Sequence, residues 1–374
     1  MHVSPFYSPV VGGVEEVVKR VAEYMASRGH EVHVITYNRL RSGELGSLPR
    51  EETINGVHVI RLRPRLIWSH GSYSPELPDV IRSLRPDVVH VHVWRHPHAF
   101  QVARLKEELG FRAILHGHSP FYGLARLGVV TWTYHKLVDV LGRGYLRGYD
   151  VYIALTRWEA RRISSLGLGQ SKIIVVPNGV DEDHCNLSLE RAEGQVLYLG
   201  RVSREKNLWM LVKSMEFVKR EARRASLVMA GPDEGLARDL LEYSRRHGLD
   251  VRYVGRVSDE AKHSLFLRSE VYALPSKYEG FALTLLEAAI HTTPSVITGE
   301  GSQLEAAPPG VASLWAEPRP DRYAEAIARL LTDDALRRSL GESARRWAEE
   351  HTWSRILPAY DDIYRGPAFN GIAQ

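Results

Sequence analysis

The chain has 374 residues, of which 44% are hydrophobic and 25% charged, and its formal net charge of +4 makes it mildly basic. This composition is ordinary for a soluble globular protein, and the length predicts two domains, each large enough for its own core. The single cysteine, Cys185, excludes an internal disulfide and a cysteine-rich zinc site.

The N-terminal sequence MHVSPFYSPVVGG is interrupted by proline and glycine, so we expect no signal peptide. No run approaches the roughly 18 apolar residues that a membrane span needs. We therefore expect a cytoplasmic protein, which the lone cysteine also fits. The mildly basic charge suits an anionic ligand or a membrane surface without requiring either.

The first half of the chain alternates helices and strands. Apolar residues recur at helical spacing in VEEVVKRVAEYMA (14–26), and EVHVIT (31–36) predicts the strand that follows. The stretch 38–53 is polar and predicts a loop. Further strands are predicted at 87–93, 112–116, 150–155 and 172–177.

A second alternating series begins after residue 180. Its predicted strands are QVLYLG, SLVMAG, VRYVG, VYALP and PSVIT. Short continuous runs of Val, Ile and Leu between helices are typical of parallel strands that are covered on both faces. The sequence thus predicts two doubly wound α/β domains, joined near the turn-rich stretch 177–186.

Ligands of open parallel sheets bind at the C-terminal ends of the strands, and four stretches of the sequence fall there. In the first, Gly12 and Gly13 precede a helix, whose N-terminal N–H groups suit a phosphate. In the second, Arg201 and Lys206 follow a strand. Two cations at that position suit a diphosphate, although a solvated basic turn has the same composition.

The other two stretches carry histidines and glutamates. LHGHS ends a strand with His116 and His118. YEGFALTLLEAAI (278–290) has Glu279 and Glu287 at the ends of an apolar stretch. Burying an unpaired carboxylate costs several kcal/mol, so these two glutamates are either solvated or held by a ligand or a partner.

Together, these stretches resemble the retaining nucleotide-sugar glycosyltransferases of the GT-B fold, family 4 (glycosyl transferases group 1). The matching sequences, in order, are SPFYSPVVGGVEEVVKRVAEYMASRGHEVHVIT, PNGVD (177–181), GRVSREKN (200–207) and YEGFALTLLEA. In that family the last motif holds two glutamates separated by seven residues, which Glu279 and Glu287 match. The resemblance covers nearly the whole chain.

The resemblance implies an α/β protein of two Rossmann-like doubly wound domains that face each other across a cleft. Residues 1–175 would form the acceptor-binding domain and residues 176–352 the nucleotide-sugar donor-binding domain. Residues 353–374 would form a C-terminal helix that crosses back to the N-terminal domain, although Pro358 interrupts its backbone N–H pattern.

The resemblance also implies roles for individual residues. Glu279 contacts the donor sugar, Glu287 hydrogen-bonds the ribose hydroxyls, and Arg201 and Lys206 neutralise the diphosphate. His118 matches the family's histidine near the transferring sugar, although a hydrogen-bonded core histidine is the alternative. The remaining donor-binding residues are Gly12 and Gly13, and Gly280, Phe281, Ala282 and Leu283, whose backbone N–H groups lie at a helix start.

The mechanism implied is a front-face transfer in which the donor's diphosphate oxygen helps to deprotonate the acceptor and the anomeric configuration is kept. The sequence shows no obvious enzyme nucleophile. Positive charge and aligned N–H groups would stabilise the leaving nucleoside diphosphate. We expect no cofactor and no metal, with a UDP- or GDP-type sugar as donor and a sugar or lipid-linked glycan as acceptor.

One position departs from the family pattern. After the second glutamate the family has a small residue and then glycine, whereas this chain has His291 and Thr292. A glycine that would stop the helix is therefore missing.

Two other functions compete with this interpretation. A metal-dependent hydrolase would use the histidines of HVHVWRHPH, which are His90, His92, His96 and His98, together with His116 and His118. No acidic ligand accompanies them at the strand ends, and the acidic run DED (181–183) follows a plain loop. A non-catalytic nucleotide-sugar binding protein is the second alternative, and its test is sugar transfer. Scattered basic residues argue against a nucleic-acid binder.

The stretch 119–148 and the nearby RLRPRLIW (61–68) suggest a peripheral membrane contact for a lipid-linked acceptor, because cations attract anionic headgroups and aromatic rings settle at the interface. The alternative is that the aromatic residues simply belong to the core. The residues concerned are Phe121, Tyr122, Trp132, Tyr134 and Tyr145, with Arg126, Lys136, Arg143 and Arg147.

Overall fold

The computed structural model describes residues 1–68, 71–119, 121, 123–182 and 190–366. The chain divides into two compact units. Unit 1 comprises Met1–Asn178 and the chain from Ile356 onward, and unit 2 comprises Gly179–Arg355. Of the residues named above, those outside the described part are Tyr122, Asp183, Cys185 and 367–374, together with the side chain of Arg126.

Unit 1 is built on an eight-stranded sheet with a separate two-stranded hairpin. Its strands are β1 (His2–Val3), β2 (His33–Tyr37), β3 (Glu51–Ile54), β4 (Val57–Leu62), β5 (Leu66–Trp68), β6 (Gly71–Tyr73), β7 (Val88–His92), β8 (Arg112–His116), β9 (Val151–Ala154) and β10 (Ile173–Val175). Its first six helices are α1 (Gly13–Ser27), α2 (Leu77–Leu84), α3 (Pro97–Leu109), α4 (Leu124–Leu141), α5 (Arg143–Gly148) and α6 (Arg157–Ser164).

The order of the large sheet is β10-β9-β8-β7-β1-β2-β4-β3, and its pairs are parallel except for β3, which is antiparallel to β4. The strand order reverses between β1 and β7, which is where open α/β sheets bind ligands. The prediction of a loop through residue 53 is wrong at its end, since Glu51–Ile54 is a strand. This edge strand is polar and half exposed, so it lacks the apolar run by which the other strands are recognised.

Unit 2 is a six-stranded parallel sheet of order β13-β12-β11-β14-β15-β16, in which the order reverses between β11 and β14. Its strands are β11 (Gln195–Leu199), β12 (Ser226–Ala230), β13 (Val251–Tyr253), β14 (Val271–Leu274), β15 (Ser295–Ile297) and β16 (Ser313–Trp315). Its helices are α7 (Leu208–Glu221), α8 (Ala237–Arg246), α9 (Asp259–Arg268), α10 (Leu283–Ile290), α11 (Ser302–Ala306), α12 (Pro320–Thr332), α13 (Asp334–Glu349) and α14 (Trp353–Ile356).

The last helix, α15 (Pro358–Arg365), packs on unit 1. Tyr24 donates a hydrogen bond to Asp361 (2.7 Å), and Arg112 Nε donates to the carbonyl of Ile363 (3.0 Å). Pro358 is tolerated because it stands in the first turn, where a backbone N–H has no helical partner. Within the described ranges, no helix combines the length and apolarity needed to cross a bilayer.

Candidate functional site

The reversal point of the unit 2 sheet brings together two of the predicted residues. Lys206 lies in the turn after β11, and Glu279 lies in the loop after β14. Lys206 Nζ is 2.6 Å and 2.8 Å from the two carboxylate oxygens of Glu279, and Ser276 Oγ also donates to this carboxylate. The Lys206 side chain is 14% exposed and the Glu279 side chain 13%. Each residue neutralises the charge of the other, which would be costly to bury alone.

Arg201 lies at the same strand end but faces a different partner. Its guanidinium is 2.6 Å from Glu234 and 3.6 Å from Glu205, and it is nearly half exposed. Burial works against its charge, but the neighbouring carboxylates hold the pKa of Arg201 above its ordinary value. A permanently charged, accessible guanidinium fits a phosphate, which it can contact with two N–H groups at once.

Glu287 lies in the second turn of α10 and pairs with Lys262 of α9. Lys262 Nζ is 2.9 Å from Glu287 Oε1, and both side chains are about one-fifth exposed. Burial opposes the charge of Lys262, but the Glu287 carboxylate raises the pKa of this lysine above its ordinary value. Sequence reasoning did not identify Lys262, because nothing in the sequence shows that α9 and α10 are neighbours.

The loop before α10 contains the remaining predicted donor-binding residues. The helix begins at Leu283, and Ala282 before it has a φ of 64°, in the left-handed region. Phe281 is buried, whereas Gly280, Ala282 and Leu283 are partly exposed. The first N–H groups of a helix have no helical partner, so the start of α10 at Leu283, four residues after Glu279 in the chain, is where backbone N–H donors are expected.

The departure from the family pattern after Glu287 has a structural consequence. Thr292 has a φ of 56°, a left-handed conformation that is unusual for a β-branched residue and readily adopted by glycine. Arg191 donates hydrogen bonds of 2.9 Å to both the carbonyl and the hydroxyl oxygen of Thr292. The chain therefore adopts a left-handed conformation after α10 without glycine. The hydrogen bonds from Arg191 support the strained Thr292.

In unit 1, Gly12 and Gly13 stand at the start of α1. A side chain at Gly12 would collide with Glu15, because its Cβ would lie 2.3 Å from Glu15 Oε2. Glu15 is buried and pairs with Arg41 at 2.8 Å. The helix start is thus already faced by a carboxylate, and an anion that binds at Gly12 has to compete with Glu15 for Arg41.

His118 lies in a strained loop after β8. His118 and Ser119 have φ values of 58° and 51°, which is left-handed for two consecutive residues other than glycine. Glu159 of α6 holds this loop, since its carboxylate accepts from the Ser119 backbone N–H at 2.9 Å and from the Ser119 hydroxyl at 3.0 Å. Strained backbone of this kind persists only where the surroundings fix it, often at functional sites.

The Glu159 carboxylate is fully buried and accepts two further hydrogen bonds, from Tyr152 Oη at 2.8 Å and the Leu155 backbone N–H at 2.8 Å. Burial raises the pKa of Glu159, while its four donors partly offset this shift. A Cβ at Gly117 would lie 1.6 Å from Tyr152 Oη, so the loop needs glycine there. The spacing of Thr156 and Glu159 is a helix-start signal that could have pointed to this glutamate.

Five histidines of unit 1 form a buried cluster. His116 and His118 lie there, as do His90 and His92 from the rival interpretation, and β1 adds His2. Burial lowers the pKa of each of them, to about 3 for His118. In the part of the chain that the structure describes, two groups of three histidines have the spacing of metal ligands, and neither contains a carboxylate.

The surface predicted to contact a membrane, in the stretches 61–68 and 119–148, exposes fewer of the predicted aromatic and basic residues than expected. Phe121 and Tyr145 pack against the core, and Arg61 is buried in β4. The stretch 61–68 therefore does not present Arg61 to a membrane. From residue 127 onward, the large apolar residues that α4 exposes are aliphatic, and they are Val129, Val130, Leu137, Val140 and Leu141.

Comparison with known proteins assigns the family. Residues 11–184 match the family model Glycosyltransferase Family 4, and residues 180–347 match Glycosyl transferases group 1. The chain belongs to the group 1 glycosyltransferases. Over 96% of both chains, this glycosyltransferase is 29% identical to an uncharacterized glycosyltransferase of Methanocaldococcus jannaschii.

Solved structures show that this glycosyltransferase has the GT-B fold. Sucrose-phosphate synthase from Thermosynechococcus elongatus superimposes with a TM-score of 0.78 over 98% of both chains, at 20% identity. Anabaena HepE, solved in complex with UDP and glucose, superimposes with a TM-score of 0.71 over 98% of this chain and 99% of its own, at 16% identity. The predicted family, fold class and transferase activity are thereby confirmed.

Proposed function

We propose that the enzyme transfers a sugar from a nucleoside-diphosphate sugar of the UDP or GDP type to an acceptor hydroxyl, with retention of anomeric configuration. The pairing of Lys206 with Glu279 at the reversal point of unit 2 carries this proposal, because it puts a cation for the diphosphate beside a carboxylate for the sugar. The complex of HepE with UDP and glucose supports a donor of this class.

Unit 2 is the proposed donor-binding domain. Arg201 and Lys206 would offset the charge that gathers on the leaving diphosphate, and the free N–H groups at the start of α10 would add aligned dipoles. Glu287 would accept hydrogen bonds from the ribose diol, for which an ionised carboxylate is suited because it only accepts. These groups supply the charge stabilisation without a metal ion, so we propose transfer that needs no metal or cofactor.

Unit 1 is the proposed acceptor-binding domain, in which Gly12 and Gly13 would let the donor approach the backbone at the start of α1. His118 would hydrogen-bond the transferring sugar. Its imidazole is buried and neutral, and its Nε2 is 3.0 Å from His92 Nδ1, so Nδ1 is the ring nitrogen that remains for the sugar. In a front-face reaction the diphosphate oxygen takes the acceptor proton, and His118 orients the sugar rather than attacking it.

The exposed face of α4 supports an acceptor presented at a membrane surface in the cytoplasm. Val130 is 84% exposed and Val129 and Leu141 are each 70% exposed. The nearby cations Arg143 and Arg147 are also exposed. Aliphatic side chains next to cations are typical of a peripheral contact with anionic lipid, so we propose a lipid-linked acceptor in preference to a free sugar.

Donor binding is tested by measuring protection against thermal unfolding with UDP-, GDP- and ADP-sugars, since a ligand of the native state raises its stability. We expect one UDP- or GDP-sugar to raise the unfolding temperature of the wild type but not of Lys206→Ala. Absence of protection by every donor would refute the proposal. Protection without any transfer or donor hydrolysis would favour the non-catalytic binding protein.

Membrane contact is tested by sedimentation with anionic liposomes at low and high salt. We expect binding at low salt that weakens at high salt and in the double variant Arg143→Glu/Arg147→Glu. The matched control is Arg238→Glu/Arg245→Glu, which makes the same change of charge at exposed positions of α8. If the wild type stays in the supernatant at low salt, the membrane contact is wrong.

A further inference from the structure

Histidines from three neighbouring strands and one loop meet on one face of the unit 1 sheet. The parallel register sets His2 beside His90, and His92 beside His116. His118 follows in the loop after β8, and its exposure of 8% is the largest of the five. Buried polar groups normally have hydrogen-bond partners, so a cluster of this size calls for a chemical explanation.

Within this cluster, the burial of His116 is not explained by hydrogen bonds. Both of its ring nitrogens are buried, and neither has a hydrogen-bond partner among the described residues. A neutral imidazole has one donor and one acceptor, and leaving both without partners costs free energy. Ring nitrogens of His92, His116 and His118 lie within 4.8 Å of one another, which brings three metal-binding atoms to one point.

We propose that His92, His116 and His118 form a binding site for a divalent transition-metal ion such as Zn²⁺. Zinc commonly binds three imidazoles and leaves a fourth position for water. His92 Nδ1 and His118 Nε2 are 3.0 Å apart. Two nitrogens at about 2.0–2.1 Å from a tetrahedral zinc are about 3.3 Å apart, so these rings need to separate only slightly.

A neighbouring histidine gives one of the three ligands, His92, the support that metal ligands usually have. A ligating histidine commonly uses its other ring nitrogen in a hydrogen bond that fixes its tautomer. His92 does so, since its Nε2 is 3.0 Å from His2 Nδ1. His90 Nδ1 in turn lies 2.6 Å from the hydroxyl of Tyr364 on α15. The other group of three histidines thus orients the site instead of forming a second one.

The site has a consequence for catalysis, which rests on the proposed role of His118. An ion bound to His118 Nε2 draws the imidazole toward His92 and His116, and so misaligns Nδ1, the ring nitrogen that is left for the sugar. Zinc would therefore inhibit transfer reversibly, and a chelator would restore it. Binding of free nucleoside diphosphate would not change, because Arg201 and Lys206 belong to the other unit.

The experiment is a titration of the untagged full chain with Zn²⁺ in competition with a chromogenic chelator, repeated with Co²⁺ to read its visible spectrum. We expect one ion per chain, the strong visible bands of four-coordinate Co²⁺, and at least tenfold weaker binding in His92→Gln and His116→Gln. The control is His263→Asn. His263 Nδ1 and His291 Nε2 are 2.9 Å apart, but the described residues place no third ligand with them.

The outcomes separate this proposal from the proposed function. If the wild type shows no saturable zinc binding, the metal site is wrong. This result does not depend on whether the variants fold. Equal affinity of the wild type and His116→Gln would also overturn it. Zinc binding without inhibition of transfer would keep the site and remove the role of His118. Absent zinc binding with intact transfer would leave the proposed function standing.

Discussion

Lys206 and Glu279 form an ion pair in which Lys206 Nζ lies 2.6 Å and 2.8 Å from the two carboxylate oxygens. Sequence analysis assigned the lysine to the diphosphate and the glutamate to the sugar, without a contact between them. In the structure each one instead neutralises the other. A donor that binds here exchanges part of this ion pair for its own contacts, so the two substitutions should have opposite effects on nucleotide affinity.

We expect Lys206→Ala to weaken binding of UDP or GDP by about 10- to 150-fold, because a hydrogen bond to a charged group contributes about 1.5–3 kcal/mol. Binding of the uncharged nucleoside should change little. Glu279→Gln should bind the free nucleotide at least as tightly as the wild type, since Lys206 no longer pairs with a carboxylate. The rate of sugar transfer by this variant should nevertheless fall. Calorimetric titration with nucleotide and nucleoside checks both variants, and equal losses for the two ligands in Lys206→Ala would contradict the assignment.

Glu287 should act on the nucleoside part of the donor. Glu287→Gln keeps the shape of the side chain but loses the charge, so we expect affinity to fall by a similar factor, about tenfold, for nucleoside and for nucleoside diphosphate. The control is Glu242→Gln, which removes an exposed carboxylate of α8 that pairs with Arg246. The role of Glu287 is wrong if only the diphosphate loses affinity, or if the control shows the same loss.

Ten of the 16 described strands were predicted from the alternating pattern, because buried parallel strands are continuous Val, Ile and Leu runs. Arg112–His116 was predicted with its observed bounds. The strands β3 to β6 were not predicted, since polar residues interrupt β3 and β4, and the hairpin strands β5 and β6 have no longer run of Val, Ile and Leu. The partly exposed strand β16 also escaped prediction, because its sequence SLW does not belong to a run of Val, Ile and Leu.

The candidate site was predicted less completely than the fold. Motifs identified Lys206 and Glu279 individually, but their contact joins residues 73 positions apart and depends on side-chain conformation. Lys262 and Glu159 were missed because their importance arises from packing between helices or between a helix and a loop. His2 was missed as a member of the histidine cluster because only the strand order puts β1 beside β7.

Glu159 should position the loop that carries His118. Glu159→Gln leaves some of its four donors without an acceptor, so we expect the free energy of unfolding to fall by about 3 kcal/mol and transfer to fall with it. Affinity for free nucleotide should stay unchanged, because Glu159 belongs to unit 1. Denaturant unfolding, transfer rates and nucleotide titration measure these three effects.

The control for this variant is Thr156→Ala, which removes the hydroxyl that accepts the Glu159 backbone N–H at 3.1 Å. It should cost about 1 kcal/mol, as the loss of a helix cap usually does, and leave the Ser119 hydrogen bonds in place. If Thr156→Ala lowers transfer as much as Glu159→Gln, the effect is general destabilisation and positioning by Glu159 is disproved.

Acid should destabilise unit 1 through His135 of α4. Burial, together with the nearby Arg95, lowers the pKa of His135 from 6.5 to about 4. The unfolded chain therefore binds a proton between these pH values that the folded chain does not, so this contribution to stability is present above about pH 6.5 and lost as the pH falls toward 4. We expect the free energy of unfolding of His135→Gln, measured with denaturant, to fall less between pH 6.5 and 4 than that of the wild type. The control His30→Gln, at an exposed position, should fall as the wild type does. Parallel pH profiles of His135→Gln and the wild type would contradict the prediction.

The most direct test of the proposed activity is release of nucleoside diphosphate from the donor that best protects the wild type, measured with and without a membrane extract as the acceptor source. The account predicts release by the wild type and at least a hundredfold slower release by Glu279→Gln, with nucleotide affinity retained. Release at the wild-type rate by Glu279→Gln, or no release from any UDP- or GDP-sugar by the wild type, would contradict the account.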